Sequence, residues 1–332
     1  MSALIDWPVS GRFHFDDPDA LSAAMPGGRF GVLPLEQGPF HSTIHSAVVA
    51  SDLLVRQIGA GSAISIRSEF IGTRPTITLL MPSFADGHAF LDGHEFSDHA
   101  LAIRTAGDTP HLRTIGRYEI AAFTIDRSAL QSAAEAIVGQ SLANFLHTPT
   151  TMSGAAASHV AKLRKVQLEA REIASSASAS ELAQRGPAPQ LLMRDKILAV
   201  VVSALSDGHV KPDHLAVQLQ TRSMARIERY LDDHRETVTT LQELCAGTRL
   251  PLRTVERIIL SRTGVSALAY LRRRRLAFVR HALLHPSDVA TVTSAAIRFG
   301  FWHLGRFAAF YQQVYGERPS ETLVKSMGRA KS

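Results

Sequence analysis

Two groups of polar and charged residues in the last third of the chain have types and spacings that could read DNA. Arg253, Glu256 and Arg257 are three and four positions apart, so a helix would place them on one face. His303 and Arg306 repeat the spacing of three further along the chain. Arginine can donate two hydrogen bonds to one guanine, and glutamate can accept one from cytosine. A solvated helix surface carries the same residue types, so the interpretation depends on the elements that position them.

No group of residues predicts a catalytic centre. His88, His94 and His99 are six and five positions apart, and histidines on facing strands of a barrel could hold a metal ion. They lie among Asp and Gly residues typical of turns, which favours solvated loop histidines. The segment Gly59-Ala-Gly61 lacks the third glycine and the following helix of a phosphate-binding loop. We therefore predict no catalytic residue, no metal site and no cofactor.

A capping box marks the first of two short helices. In Thr240-Leu-Gln-Glu243, the threonine hydroxyl can accept a backbone amide at the helix start while Glu243 reaches back. This helix should end near Gly247. A tight connection then leads to Pro251, which is tolerated at the beginning of a second helix that ends near Gly264. The apolar residues predicted to face inward on the second helix are Val255, Ile258 and Ile259.

The same plan recurs further along the chain. An apolar stripe leads to Phe299, Gly300 forms the turn, and a helix runs from about Trp302 to Gly316, with Pro319 beyond it. Phe301 and Trp302 are interpreted as core rather than as DNA contacts. Two short helices joined by a glycine-containing turn form a helix-turn-helix, whose second helix can enter the major groove. One such unit is weak evidence, but two in tandem are much stronger. The inward-facing residues predicted here are Val289, Val292, Ala296, Phe307, Phe310 and Val314.

Positive charge is concentrated in the same part of the chain. Residues 221–332 hold 19 Lys and Arg against 9 Asp and Glu, a balance of +10, while residues 1–220 hold 17 against 21, a balance of −4; together they give the whole-chain +6. A basic end on a mildly acidic body is typical of a nucleic-acid-binding module attached to another domain. The alternative is a basic surface that is merely solvated. For the run Arg272–Arg275, in the helix predicted between the two units, phosphate contact and a structural role are both open.

The rest of the chain reads as strands followed by helices. The 332 residues are 45% hydrophobic and 20% charged, enough for about two domains with proper cores. Residues 29–126 contain short strands punctuated by turn residues, which indicates a barrel or sandwich, and helical patterns follow over 128–205. The longest apolar stretch, 197–205, is too short to span a bilayer, which takes about 18 residues. The single Cys245 suits a reducing cytoplasm.

The C-terminal part resembles the AraC/XylS family of transcription regulators over residues 224–323. The N-terminal half is similar, more loosely, to the small-molecule-sensing β-barrels that precede this module in many members. Two positions depart from the family pattern: Pro251 stands where a Ser or Thr cap is usual, and Ala267 where Pro is usual. The residues that carry the resemblance are LPLRTVER at 250–257, GVS at 264–266, YL at 270–271, RL at 275–276, LL at 283–284, GFWHLGRF at 300–307, Tyr311, GE at 316–317 and PS at 319–320.

The resemblance implies which residues contact DNA and where an effector binds. It implies an effector pocket inside the barrel, although it identifies no residue of that pocket. Arg56, Arg67 and Arg74 could meet a carboxylate there, but solvated, outward-facing arginines are the commoner case. The residues implied to contact DNA are Arg253, Thr254, Glu256 and Arg257 in the first unit and His303, Gly305 and Arg306 in the second.

We therefore predict an α+β chain of two domains: a cupin-like N-terminal β-barrel or sandwich with helices, and an all-α C-terminal pair of helix-turn-helix units. The expected divisions are 1–127 for effector binding, 128–210 for dimerisation or linkage through faces at 142–145 or 163–173, and 221–325 for DNA binding. The expected function is a cytoplasmic, effector-responsive activator that binds double-stranded DNA as a homodimer, acts with RNA polymerase and does not enter a membrane. The alternatives are a metal-dependent cupin-like enzyme fused to a DNA-binding module, and a ligand-independent regulator whose barrel only dimerises.

Overall fold

The computed structural model describes residues 10–25, 28–70, 75–144, 152–154, 157–176, 188–206, 209–211, 215–285 and 291–329. Arg74, one of the arginines considered for a carboxylate, lies outside these residues, as does Val289 of the predicted apolar stripe. Among the described residues, a β-rich region with packed helices precedes a region of helices alone.

Eleven strands in the described part of the chain form one branched sheet. The main order is β1-β3-β4-β9-β6-β8-β10-β11, while β2 pairs with β5 and β7 with β6. Because β9 pairs with β5 near its start and with β4 over its later residues, the sheet bends into a half-barrel. The strands are β1 Gly11–Phe15, β2 Gly28–Pro34, β3 Ser42–Ala50, β4 Leu53–Ala60, β5 Ile64–Phe70, β6 Thr76–Leu91, β7 His94–Glu95, β8 Ala100–Thr105, β9 His111–Asp126, β10 Met152–Gly154 and β11 His209–Lys211.

In the described part of the chain, four helices pack on this sheet: α1 Pro18–Ala24, α2 Arg127–Val138, α3 Ala157–Ser176 and α4 Ala188–Ser206. Helices α2, α3 and α4 share one apolar core with the sheet. Leu163, Val166 and Ala170 of α3 are buried in it, so the 163–173 face that the sequence suggested for dimer contact is occupied within the chain. A short 3-10 turn, Leu142–Asn144, buries Leu142 in the same core.

Over residues 215–285 and 291–329, seven further helices form two adjoining cores. Ala267, Tyr270 and Leu271 of α8 pack in the first core, while its later residues pack in the second, so one 18-residue helix belongs to both. The helices are α5 Leu215–Asp233, α6 Leu241–Thr248, α7 Leu252–Thr263, α8 Ala267–Leu284, α9 Val292–Arg298, α10 Leu304–Tyr315 and α11 Pro319–Arg329.

The half-barrel with packed helices, followed by a purely helical region, confirms the predicted fold class. Among the described residues, every helix falls short of the length and apolar character that crossing a membrane requires.

Candidate nucleic-acid interface

A short, firmly capped helix opens the first unit. The hydroxyl of Thr240 accepts a hydrogen bond from the backbone amide of Glu243 at 3.2 Å. The Glu243 carboxylate accepts from the amides of Thr239 and Thr240 at 2.8 and 2.9 Å, and these bonds hold the pKa of Glu243 below its ordinary value. The predicted capping box is confirmed. Helix α6 ends at Thr248, one residue beyond the predicted Gly247, and Arg249 caps it with a left-handed φ of 51°.

The second helix of this unit, α7, separates an apolar face from a charged one. Arg253, Glu256 and Arg257 are exposed on the outer face, and Thr254 is half-buried. Gly264 ends the helix in the left-handed region, with a φ of 71°, as the sequence predicts. The outer face of α7 therefore presents the implied contact residues together. The side chains buried in the first helical core are Val255, Ile258 and Ile259.

The second unit repeats this arrangement. Helix α9 begins with a reciprocal cap, in which Thr291 accepts from the amide of Ser294 at 3.1 Å and Ser294 accepts from the amide of Thr291 at 3.2 Å. Gly300 forms the turn with a φ of 76°, and Gly316 ends α10 with a φ of 72°. Phe307 and Val314 are buried as predicted, with Tyr311 between them, whereas Phe310 is only partly buried. His303, Gly305 and Arg306 are exposed at the start of α10.

Trp302 is the residue that the sequence interpretation placed wrongly. Its side chain is 71% exposed, while the neighbouring Phe301 is buried against Phe307. The helix starts two residues later than Trp302, at Leu304, with His303 as its cap residue. A large exposed aromatic beside the implied contact residues belongs among the candidate DNA contacts.

The two outer helices begin differently from the two that support them. The first turns of α6 and α9 are closed by side-chain caps, whereas Pro251 and His303, the cap residues of α7 and α10, make no such hydrogen bond. Backbone amides at an uncapped helix start point toward solvent and favour negative charge, so they can receive a phosphate. The starts of α7 and α10 are therefore suited to contact a nucleic-acid backbone, while α6 and α9, whose first turns are capped, support them.

Comparison with known proteins agrees with this geometry. Residues 244–324 match the family model described as a helix-turn-helix domain. The XylDLEGF operon transcriptional activator 2 of Pseudomonas putida is 31% identical over 99 residues, which cover 30% of this chain and 63% of that protein. The chain carries a DNA-binding domain of the AraC/XylS family. The chain spans less than two thirds of these curated relatives, since a further XylDLEGF operon transcriptional activator of the same organism is matched over 32% of its length.

Solved structures also resemble this chain, and two of them are examples of that similarity. A probable AraC family transcriptional regulator from Rhodopseudomonas palustris is 31% identical, covers 32% of this chain and 97% of its own, and superposes with a TM-score of 0.29. The AraC-like transcriptional activator CuxR is 15% identical, covers 80% of this chain and 94% of its own, and superposes with a TM-score of 0.42.

Both departures from the AraC/XylS pattern are accommodated locally. Pro251 precedes α7, and its carbonyl accepts from the amides of Thr254 and Val255 at 2.9 and 3.0 Å, which closes the first turn without a side-chain cap. Ala267 is buried at the start of α8, where the Ser266 hydroxyl accepts from the amide of Ala269 at 3.3 Å.

The basic run Arg272–Arg275 of α8 is held mainly by contacts inside the protein. The Arg272 guanidinium lies over the Phe310 ring at 4.0 Å, and Arg273 donates to the Leu35 carbonyl at 3.0 Å. Arg275 donates to the carbonyls of Thr239, Phe299 and Gly300, and so ties the turn of the second unit to the start of the first. Its role is structural.

The AraC/XylS domain is fastened to the half-barrel by a buried ionic network at α5. Arg67 of β5 pairs with Glu228 at 2.8 Å and with Asp232, and Arg274 of α8 pairs with Asp232 at 2.7 Å. Burial opposes the charge on Asp232, but Arg274 and Arg67 outweigh it and hold its pKa below the ordinary value. Arg67 is therefore committed to this network rather than free to meet an effector.

Further contacts fasten each unit separately. Arg262, at the end of α7, pairs with Asp92 of the half-barrel at 2.7 Å, and both side chains are buried. Arg280 of α8 pairs with Asp17 and, at 3.1 Å, with Asp19, the two carboxylates that flank the start of α1. Sequence analysis found none of these pairs, because their partners lie more than 150 residues apart.

An apolar cavity lies inside the half-barrel. Its volume is about 70 Å³, and it is lined mainly by side chains of strands β2, β4, β5, β6 and β9. Arg56 lines it and is 5% exposed, contrary to the expectation of a solvated arginine. Met25, just after α1, and Phe30 of β2 also line it.

The three histidines considered for a metal are exposed. His88 lies in β6 and His94 in β7 rather than in turns, while His99 lies between strands. His88 contacts Glu95 at 3.1 Å. Among the described residues, no group of three or more His, Cys, Asp or Glu side chains is close enough to hold a metal ion.

Proposed function

We propose that this protein is a transcription regulator that binds double-stranded DNA through α7 and α10. The observation that carries the proposal is that α7 and α10 are both exposed and lack a side-chain cap. Each follows a helix with a side-chain cap, α6 or α9, and the single helix α8 joins the two units. Arg253, Glu256 and Arg257 would contact bases in one groove segment, and His303 and Arg306 in the next. The proposal includes no catalytic step.

Selection of duplexes from a random pool by the full chain tests this proposal. We expect a preferred sequence whose binding weakens with added salt, because each neutralised phosphate contributes about 0.9 to the slope of log K against log salt. A folded chain with no affinity for any duplex at low salt would reject the DNA-binding role.

We propose further that the half-barrel senses an effector and controls the DNA-binding units through α1. The α1 segment connects the two sites along the chain, since Asp17 and Asp19 pair with Arg280 and Met25, just after α1, lines the cavity. The measurement is hydrogen exchange of the α1 amides. Binding of the selected duplex should change it in the wild type and not in the Asp17→Asn/Asp19→Asn double variant; equal changes in both would contradict the coupling.

A cytoplasmic homodimer that acts with RNA polymerase completes the proposal. Leu168, Leu191 and Leu192 remain 48%, 48% and 73% exposed on α3 and α4, and offer apolar surface for a second copy. Sedimentation of the full chain should show a dimer at tens of micromolar and a shift toward monomer in Leu192→Gln. A wild type that is monomeric with and without DNA would count against it.

A further inference from the structure

The cavity of the half-barrel has an unusual polar feature in an otherwise apolar wall. Its lining is dominated by aliphatic and aromatic side chains, with a few hydroxyls. Tyr118 donates its hydroxyl to the Phe96 carbonyl at 2.8 Å, and Thr114 accepts from the amide of Ile64 at 3.1 Å, so these groups already have partners. The charged group on the wall is Arg56.

Among the residues that the structure describes, Arg56 is buried and has no carboxylate partner. Its Nη2 donates to the Thr124 hydroxyl at 3.4 Å, a long contact, and its buried Nε has no hydrogen-bond partner in the described part of the chain. Burial lowers its pKa to about 10, so the guanidinium stays charged at neutral pH. An unpaired charge in an apolar wall carries a large desolvation cost, which an anion in the cavity would offset.

We propose that the cavity binds a small monocarboxylate with an apolar body, and that its carboxylate pairs with Arg56. This ligand is the effector of the proposed regulator, so the inference rests on that function for its biological role. The aliphatic wall formed by residues such as Ile58, Ile66 and Leu112 would cover the ligand's body. A planar guanidinium matches a carboxylate with two parallel hydrogen bonds.

The size and polarity of the cavity narrow the ligand class. One water needs about 10–15 Å³, so about 70 Å³ corresponds to roughly five to seven waters and suits a ligand of one ring or one short chain. A sugar of that size would leave most of its hydroxyls against aliphatic side chains. A single-ring or short-chain acid places one charged end at Arg56 and the rest against the apolar wall.

Calorimetric titration of the full chain with benzoate and hexanoate, and with the neutral benzamide and hexanamide, tests the proposal without DNA. We expect the wild type to bind an acid about tenfold to a hundredfold more tightly than its amide, the range of a charge-assisted hydrogen bond. Arg56→Met should abolish this preference, and Arg56→Lys should retain part of it. Arg12→Met, which removes an exposed arginine from β1, is the matched control and should bind like the wild type.

A second measurement separates ligand binding from a structural role of Arg56. Without ligand, Arg56→Met should unfold in urea at the same or a higher midpoint, because it removes an uncompensated buried charge; a markedly lower midpoint would show that Arg56 is structural. Equal binding of acids and amides by the wild type, acid binding retained in Arg56→Met, or no acid binding at millimolar concentration would each overturn the proposal. Duplex binding by the same wild-type sample would then show that the DNA-binding function stands without it.

Discussion

Substitution of Arg253 and Arg306 by alanine should affect two different parts of one DNA site. The two arginines lie on α7 and α10, and α8 joins their units by packing in both helical cores. At 1.5 Å per residue its 18 residues span about 27 Å, comparable to the 34–36 Å between successive major grooves on one face of the duplex. One copy of the chain should therefore read two short segments about one turn apart, without two-fold symmetry between them.

The size of the effect follows from the exposure of both side chains. Because Arg253 and Arg306 are exposed, either alanine should change the free energy of unfolding by less than about 0.5 kcal/mol. A bidentate contact to guanine is worth about 1–3 kcal/mol, so affinity for the preferred base should fall about 5- to 150-fold. A phosphate contact would instead weaken all sequences equally and lower the salt slope by about one unit.

The assay is repeated duplex selection with each variant, followed by competition titration against single-base changes in the wild-type site. Arg306→Ala should relax the preference in one segment and Arg253→Ala in the other. Arg222→Ala, an exposed arginine of α5, is the control for loss of one charge and should relax neither. If both variants relaxed the same segment, or neither changed base preference, the assignment of two base-reading helices would be wrong.

Three further predictions concern the stability of the protein and the approach of its backbone to DNA at Gly305. Burial lowers the pKa of His111 to about 4, whereas the imidazole of the unfolded chain has an ordinary pKa near 6.5. As the pH falls, the unfolded state therefore takes up the proton first, and the free energy of unfolding measured in urea should fall by about 2 kcal/mol between pH 7.5 and pH 5. His111→Gln should not show this loss. Gly300→Ala should lower the melting temperature, because its Cβ would lie 2.5 Å from Nη2 of Arg275 at a φ of 76°, with a left-handed penalty alone of about 1–2 kcal/mol. Gly305→Ala meets open space within the protein, so thermal melting should show stability equal or up to about 1 kcal/mol higher, while titration with the selected duplex shows weaker binding if the backbone approaches DNA there.

Local chemistry made the helical units predictable from sequence. The Thr240 capping box and the left-handed glycines at 264 and 316 each act within a few residues, so their sequence patterns determine where helices begin and end. The same patterns could not tell which aromatic of the Phe301–Trp302 pair faces inward. That choice depends on packing against Phe307, which a local pattern does not reveal.

Long-range electrostatics could not be predicted in the same way. The pairs Arg262–Asp92 and Arg280–Asp17 join residues whose spacing in sequence carries no periodic pattern. In the sequence, Arg56 is one charged residue between Val55 and Gln57 of a strand, with nothing to mark it as buried. Only the closure of the half-barrel shows that its side chain lies in an apolar cavity.

The distribution of arginines also changes what the basic C-terminal region can do. Of the 19 Lys and Arg in residues 221–332, six make contacts inside the protein, which leaves at most 13 for phosphates; the six are Arg262, Arg272, Arg273, Arg274, Arg275 and Arg280. Some arginines of the basic region therefore hold the two units to each other and to the half-barrel. These contacts hold the side of the DNA-binding units that lies opposite the exposed faces of α7 and α10. A change at the cavity that weakened the contacts would therefore alter DNA affinity without changing any DNA-contacting residue.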